Sequence, residues 1–151
     1  MQDRPNVDEL LEQVSRYLQD DVMVNTTGRT AFHARVASNV VEMIRRELAG
    51  EEDDLAEEWA GLDRLLGAEE RPVSLREWRR RTHERNEELS RRIRAGEADE
   101  GEWRTQLFAH LTRMTQLRRR VSDPKMAAAT ASGEKTRPAS YAATHPYCSG
   151  G

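Results

Sequence analysis

The sequence predicts an all-α fold: a single bundle of about five helices with a disordered C-terminal tail. Three observations carry that expectation. Apolar residues recur at spacings of three and four along most of the chain up to Val121, the period of one helix face. Helix-start and helix-stop residues bracket those stretches in register. No stretch alternates apolar and polar side chains as a half-buried strand does. The bundle is placed at residues 4–126 and the tail at residues 127–151.

Asn6 caps the first helix, with Glu9 three residues on completing a capping box. Val7, Leu10, Leu11, Val14 and Leu18 then form a stripe expected to face a core. Asn25-Thr26-Thr27-Gly28 reads as a loop. A second helix is expected from about Arg29 to Leu48, stopped by Gly50, and a third from Asp54 to Leu66, stopped by Gly67. The acidic run Glu51-Glu52-Asp53-Asp54 suits the positive end of that third helix. Ser74 and Glu77 open a fourth helix that reaches Ala95, with Gly96 behind it. A fifth covers about Asp99 to Val121, and Asp123-Pro124 ends it. From Ala127 onward the chain is too poor in apolar residues to offset its ordering entropy. The closing Thr144–Cys148 segment reads either as a short docking peptide or as plain tail, and its two metal-type ligands, His145 and Cys148, make a weak site.

Length and composition narrow the function. A chain of 151 residues suits one domain. Its single Cys excludes a disulfide framework and a Cys-based zinc ribbon. No run is long and apolar enough for a membrane span and no secretory leader opens the sequence, so a cytoplasmic protein without membrane attachment is expected. Residues 1–73 hold 8 basic and 17 acidic side chains, a balance of -9, whereas residues 74–120 hold 13 and 8, a balance of +5. Opposed halves of this kind predict internal complementarity or two faces with different partners.

The second helix is the informative one. At about 100° per residue, Arg35, Ser38, Glu42, Arg45 and Arg46 fall in one arc, which is assigned to solvent. Phe32, Val36, Val40, Met43, Ile44 and Leu48 lie in the broad remainder, which makes this the central helix of the bundle. His33, Asn39 and Glu47 are polar residues inside that apolar arc. A buried amide such as Asn39 needs partners, from the fold or from a ligand. His33 and Glu47 stand fourteen residues apart, about 21 Å along the axis, and cannot act as a pair.

The chemical inventory is that of a binding or support protein. Phosphate loops, zinc-protease motifs, nucleophile elbows and paired cysteines are all missing from the sequence. His83 and His110 are isolated on charged helices and are expected in water. The runs Arg79–Arg81 and Arg118–Arg120 each spread over about 200° of helix, so neither makes one basic face. Trp78 and Trp103 sit at core spacing, and Glu77–Arg81 and Glu87–Arg91 have ion-pair spacing. Neither an enzyme, a nucleic-acid binder, a metal nor a cofactor is expected.

The run Phe32-His33-Ala34-Arg35-Val36-Ala37-Ser38-Asn39-Val40, followed by Arg46-Glu47-Leu48, resembles the signature of an uncharacterised bacterial family of small helical proteins. Arg4-Pro5, Glu9-Leu10-Leu11, Ile93-Arg94-Ala95-Gly96 and Asp123-Pro124-Lys125 extend the resemblance over about residues 4–126, with Met126 standing where an aromatic is expected. The resemblance implies a protein encoded beside aminoglycoside-phosphotransferase-like kinases and acyl-CoA dehydrogenases, without catalytic residues to transfer. It implies an accessory subunit of such a kinase in acyl-CoA or hydroxy-acid catabolism, with the dehydrogenase as a further partner. Arg35, Glu42, Arg45 and Arg46 are the expected partner interface, and a homo-oligomer is compatible with the pattern. The rival readings are a small-ligand binder of acyl-CoA type, with His33 and Asn39 lining the pocket, and a small enzyme using His33 as base.

Overall fold

The computed structural model describes residues 4–131, and every regular element among them is helical. Helix α1 (Val7–Arg16) starts as its sequence dictates. Asn6 Oδ1 accepts from the Glu9 amide at 2.9 Å, and Glu9 Oε2 accepts from the Asn6 amide at 2.9 Å. That reciprocal pair satisfies amides that a helix start leaves without partners. The chain continues through a π-helical segment, Tyr17–Val22, into a short α2 (Met23–Asn25) and then turns.

One helix stands where two are expected. α3 runs unbroken from Gly28 to Leu66, 39 residues and about 58 Å at 1.5 Å per residue. A glycine ends a helix by adopting positive φ. Gly67 does so, at 100°, whereas Gly50 keeps the helical conformation. The acidic run beyond Gly50 therefore lies inside the helix. Glu51 pairs with Arg79, and Asp54 accepts from Arg120 at 2.6 Å.

Two helices sheathe the C-terminal half of α3. Residues 67–74 double back along it, held by Arg85, which donates to the Gly67 carbonyl at 2.6 Å, and by Arg81, which donates to Glu69 at 2.5 Å. As a result α4 (Leu75–Arg94) lies parallel to α3. Arg79 meets Glu51, Asn86 donates to Glu58 at 2.7 Å, and Arg92 donates to the Leu65 carbonyl at 3.1 Å. α5 (Glu102–Ser122) runs the other way. Trp103 Nε1 donates to the Leu65 carbonyl at 3.0 Å, Arg113 pairs with Glu57, and Arg46 donates to the Val121 carbonyl at 2.8 Å. Leu62, Leu65, Leu89 and Leu107 close the core between these three helices.

Several local expectations change with this packing. His110 is buried, because α5 approaches α3 at Gly61 so closely that a Cβ there would overlap the imidazole. Glu77 pairs with Arg80 and Arg91 with Glu88, so the i,i+3 partners win over the expected i,i+4 ones. Pro124 ends α5 but also starts α6 (Pro124–Ala131), with Asp123 Oδ1 accepting from the Met126 amide at 3.1 Å. Residues 127–131 are thus helical where an irregular tail is expected, since alanine is the best helix former. The Thr144–Cys148 segment lies outside the described residues.

Candidate interaction face

α1 packs antiparallel on the N-terminal half of α3 through buried Ser15, flanked by the partly buried Leu11 and Leu18. Ser15 and Ser38 approach to 3.2 Å, and Gln19 Nε2 donates to both hydroxyls, at 3.0 and 2.6 Å. One helical pair further along, Arg45 donates bidentately to Asp8, at 2.7 and 3.1 Å, and also reaches Glu42 at 3.2 Å. Small serines at the contact let the two backbones approach closely, and their hydroxyls satisfy one another. Three residues of the arc that the helical wheel assigns to solvent, Ser38, Glu42 and Arg45, therefore lie on the α1 seam. Ser38 is 2% exposed at its centre.

The apolar arc consequently faces out. Phe32, Val36, Val40 and Ile44 are 40–61% exposed, on the side of α3 turned away from Ser38, and Leu48 is exposed beside them. α1 behaves in the same way: Val7, Leu10, Val14 and Tyr17 recur at spacings of three, four and three and are all about half exposed. Spacing of that kind is the pattern of a helix–helix seam. Contiguous apolar strips on a folded surface mark contact with another molecule, since water penalises them. The periodicity predicts that these residues face the bundle core; most of them face outward instead, because spacing along the chain does not say which side of a helix its neighbours cover.

The sequence-predicted site residues separate into three groups. Arg45 and Glu42 are joined to α1, and Arg46 is fixed to the end of α5, so three of the four expected interface residues hold the chain together. Arg35 is exposed. His33 and Asn39 are exposed on α3, with the His33 ring edge-on to Phe32 at 5.6 Å and its Nε2 accepting from Arg29 at 3.2 Å.

Electrostatically, four carboxylates, Asp8, Glu42, Glu57 and Glu77, have lowered pKa values. A hydrogen bond from Arg45 keeps Asp8 below the usual carboxylate range, and one from Ser15 does so for Glu42. Arg113 acts likewise on Glu57, and Arg80 on Glu77. Burial lowers the pKa of His110, with Arg64 adding to the effect and Glu58 opposing it. Among the described residues, no group of three or more His, Cys, Asp or Glu side chains is placed to hold a metal, and no helix is long and apolar enough to cross a membrane. Among the described residues, Arg85 is the one buried arginine or lysine. It stacks on Trp59 at 4.6 Å and donates to Asp63 at 2.7 Å, a structural use that sequence spacing did not reveal.

No curated protein and no solved structure matches this chain significantly. A family model does match, over residues 24–126, so it takes in α3, α4 and α5 and leaves α1 outside. The chain belongs to that family, described as a domain of unknown function, DUF6285.

Proposed function

We propose that this protein is a non-catalytic accessory subunit that supports a phosphotransferase-like kinase in acyl-CoA or hydroxy-acid catabolism. The observation that carries the reading is the placement of apolar side chains outside the fold while charged ones are paired within it. Seams on α1 and α3 suit helix-on-protein contact, while Asp8 and Glu57 are taken up in ion pairs with Arg45 and Arg113. The kinase-type partner comes from the sequence resemblance, which couples such chains with phosphotransferase-like kinases and acyl-CoA dehydrogenases. In this reading the Leu10–Val14 seam of α1 seats the kinase, with exposed Arg35 as a polar anchor beside the hairpin.

Co-expression with the neighbouring kinase tests it. A co-eluting complex, with activity on a hydroxyacyl-CoA that the kinase alone lacks, is the expected result, and Val14→Arg should abolish co-elution. Separate elution with unchanged kinase activity overturns the proposal. Calorimetry of the isolated chain with CoA thioesters would then decide whether it binds such a ligand at His33 and Asn39.

A further inference from the structure

The outward seam of α3 has an internal symmetry that its amphipathic character alone does not require. Val36 and Val40 stand two residues either side of Ser38, Phe32 and Ile44 six residues either side, and Arg29 and Glu47 nine residues either side. At about 100° per residue all six fall in one arc of roughly 120°, and Arg29 and Glu47 share the same angular position. These two opposite charges, about 27 Å apart along the helix, therefore bracket an apolar centre on a single face.

A surface with that pattern is complementary to itself when turned end for end. We infer that the α3 face is the interface between two copies of this chain, packed antiparallel about a two-fold axis that passes at the level of Ser38. In that arrangement Val36 of one copy meets Val40 of the other, Phe32 packs beside Met43 and Ile44, and Arg29 meets Glu47 at both ends. A parallel pair would set Arg29 against Arg29 and Glu47 against Glu47, so the charges select the antiparallel form. Such isologous contacts are the commonest form of self-assembly.

The area is adequate. The four apolar side chains Phe32, Val36, Val40 and Ile44, 40–61% exposed, offer roughly 380 Å², and Met43 with the flanking polar residues brings each copy to on the order of 700 Å². The pair then buries about 1,400 Å², within the range of specific protein interfaces. The α1 seam remains outside this contact. The inference thus shares with the proposed function the view that the exposed strips are contact surfaces, but assigns a different strip.

Light scattering coupled to size exclusion on the full chain reads the result directly. The expected mass is twice 17.3 kDa at micromolar concentration. Val40→Arg should give a monomer with unchanged helical circular dichroism. Arg29→Glu and Glu47→Arg should each weaken the dimer at least roughly tenfold, because each reversal acts at both ends of the interface. The double variant Arg29→Glu/Glu47→Arg should restore the dimer, an outcome that decides the matter even if Val40→Arg fails to fold.

A monomeric wild-type chain overturns the inference, as does a dimer indifferent to both charge reversals. A monomer that captures the kinase through Val40 overturns it too while leaving the accessory role standing. A dimer that never captures the kinase does the reverse.

Discussion

Residues 29–45 and residues 46–66 belong to one helix and carry similar proportions of apolar side chains, yet they use them in opposite directions. The first stretch turns Ala34 and Ser38 inward and leaves Phe32, Val36, Val40 and Ile44 exposed. The second turns Trp59, Leu62 and Leu65 inward against two helices. The difference lies in what surrounds each stretch. α4 and α5 reach only as far back as Glu51 and Arg46, so the N-terminal half has α1 as its single long neighbour. A helix with one neighbour buries a narrow strip, and here that strip holds small residues, Ala34 and Ser38. Amphipathicity therefore indicates which side chains share a face, whereas the neighbouring helices determine whether that face is buried.

The largest test of this contrast is Leu62→Ala, which removes a fully buried side chain from the C-terminal body. It should cost about 2–5 kcal/mol in a urea unfolding transition. Its counterpart in the N-terminal seam is Ser38→Ala, which removes a buried hydroxyl bonded to Ser15 and Gln19. A loss of about 1 kcal/mol is expected there. Equal losses at the two sites would erase the distinction between an apolar core and a polar seam.

The junction between the halves is sharpened by Gly50→Ala. Gly50 is helical, and a Cβ would meet only Asp54 Oδ2, at 3.8 Å. A gain of about 0.5–1 kcal/mol should follow, because alanine holds helical backbone at lower entropic cost. A glycine that ended a helix at positive φ would give a loss instead, so the sign of the change separates one helix from two.

The smallest effect concerns pH. Burial lowers the pKa of His110 in the folded state, so the unfolded chain takes up this proton first as the medium acidifies. The stability that neutral His110 contributes is present above the ordinary imidazole range, near pH ~6.5, and is lost as pH falls below it. The lowered carboxylate pKa values of Asp8, Glu42, Glu57 and Glu77 act in a separate, more acidic window. Unfolding free energy measured between pH 7 and 5 should fall less steeply in His110→Gln than in the wild type.

Much of the fold was legible because its signals are local. The Asn6–Glu9 capping box, the Ser74 cap and the stop at Gly67 depend on residues within one turn of each other, and all three are found. Trp78 and Trp103 take the inward positions their spacing indicates. Gly50 and Pro124 misled in complementary ways. A glycine permits a helix end without imposing one, and a proline that ends one helix is well suited to begin the next. His110 gave no local sign of burial, because the vacancy it fills is created by Gly61, 49 residues earlier in the chain.

The interaction face was half legible. Sequence periodicity identified the apolar residues of α1 and α3, and the symmetric disposition of Arg29, Val36, Val40 and Glu47 about Ser38 is itself a property of the sequence. Which side of α3 meets α1 was decided by the tertiary structure. Ser15, Gln19 and Ser38 can bring two backbones together and satisfy their own polar groups, and Arg45 can bridge to Asp8. The large side chains cannot occupy that narrow seam as well. The sequence thus determined an all-helical chain with strong amphipathic stripes, through backbone preferences and the period of the helix. Only the packing of helices of unequal length decided which stripe became core and which was left exposed.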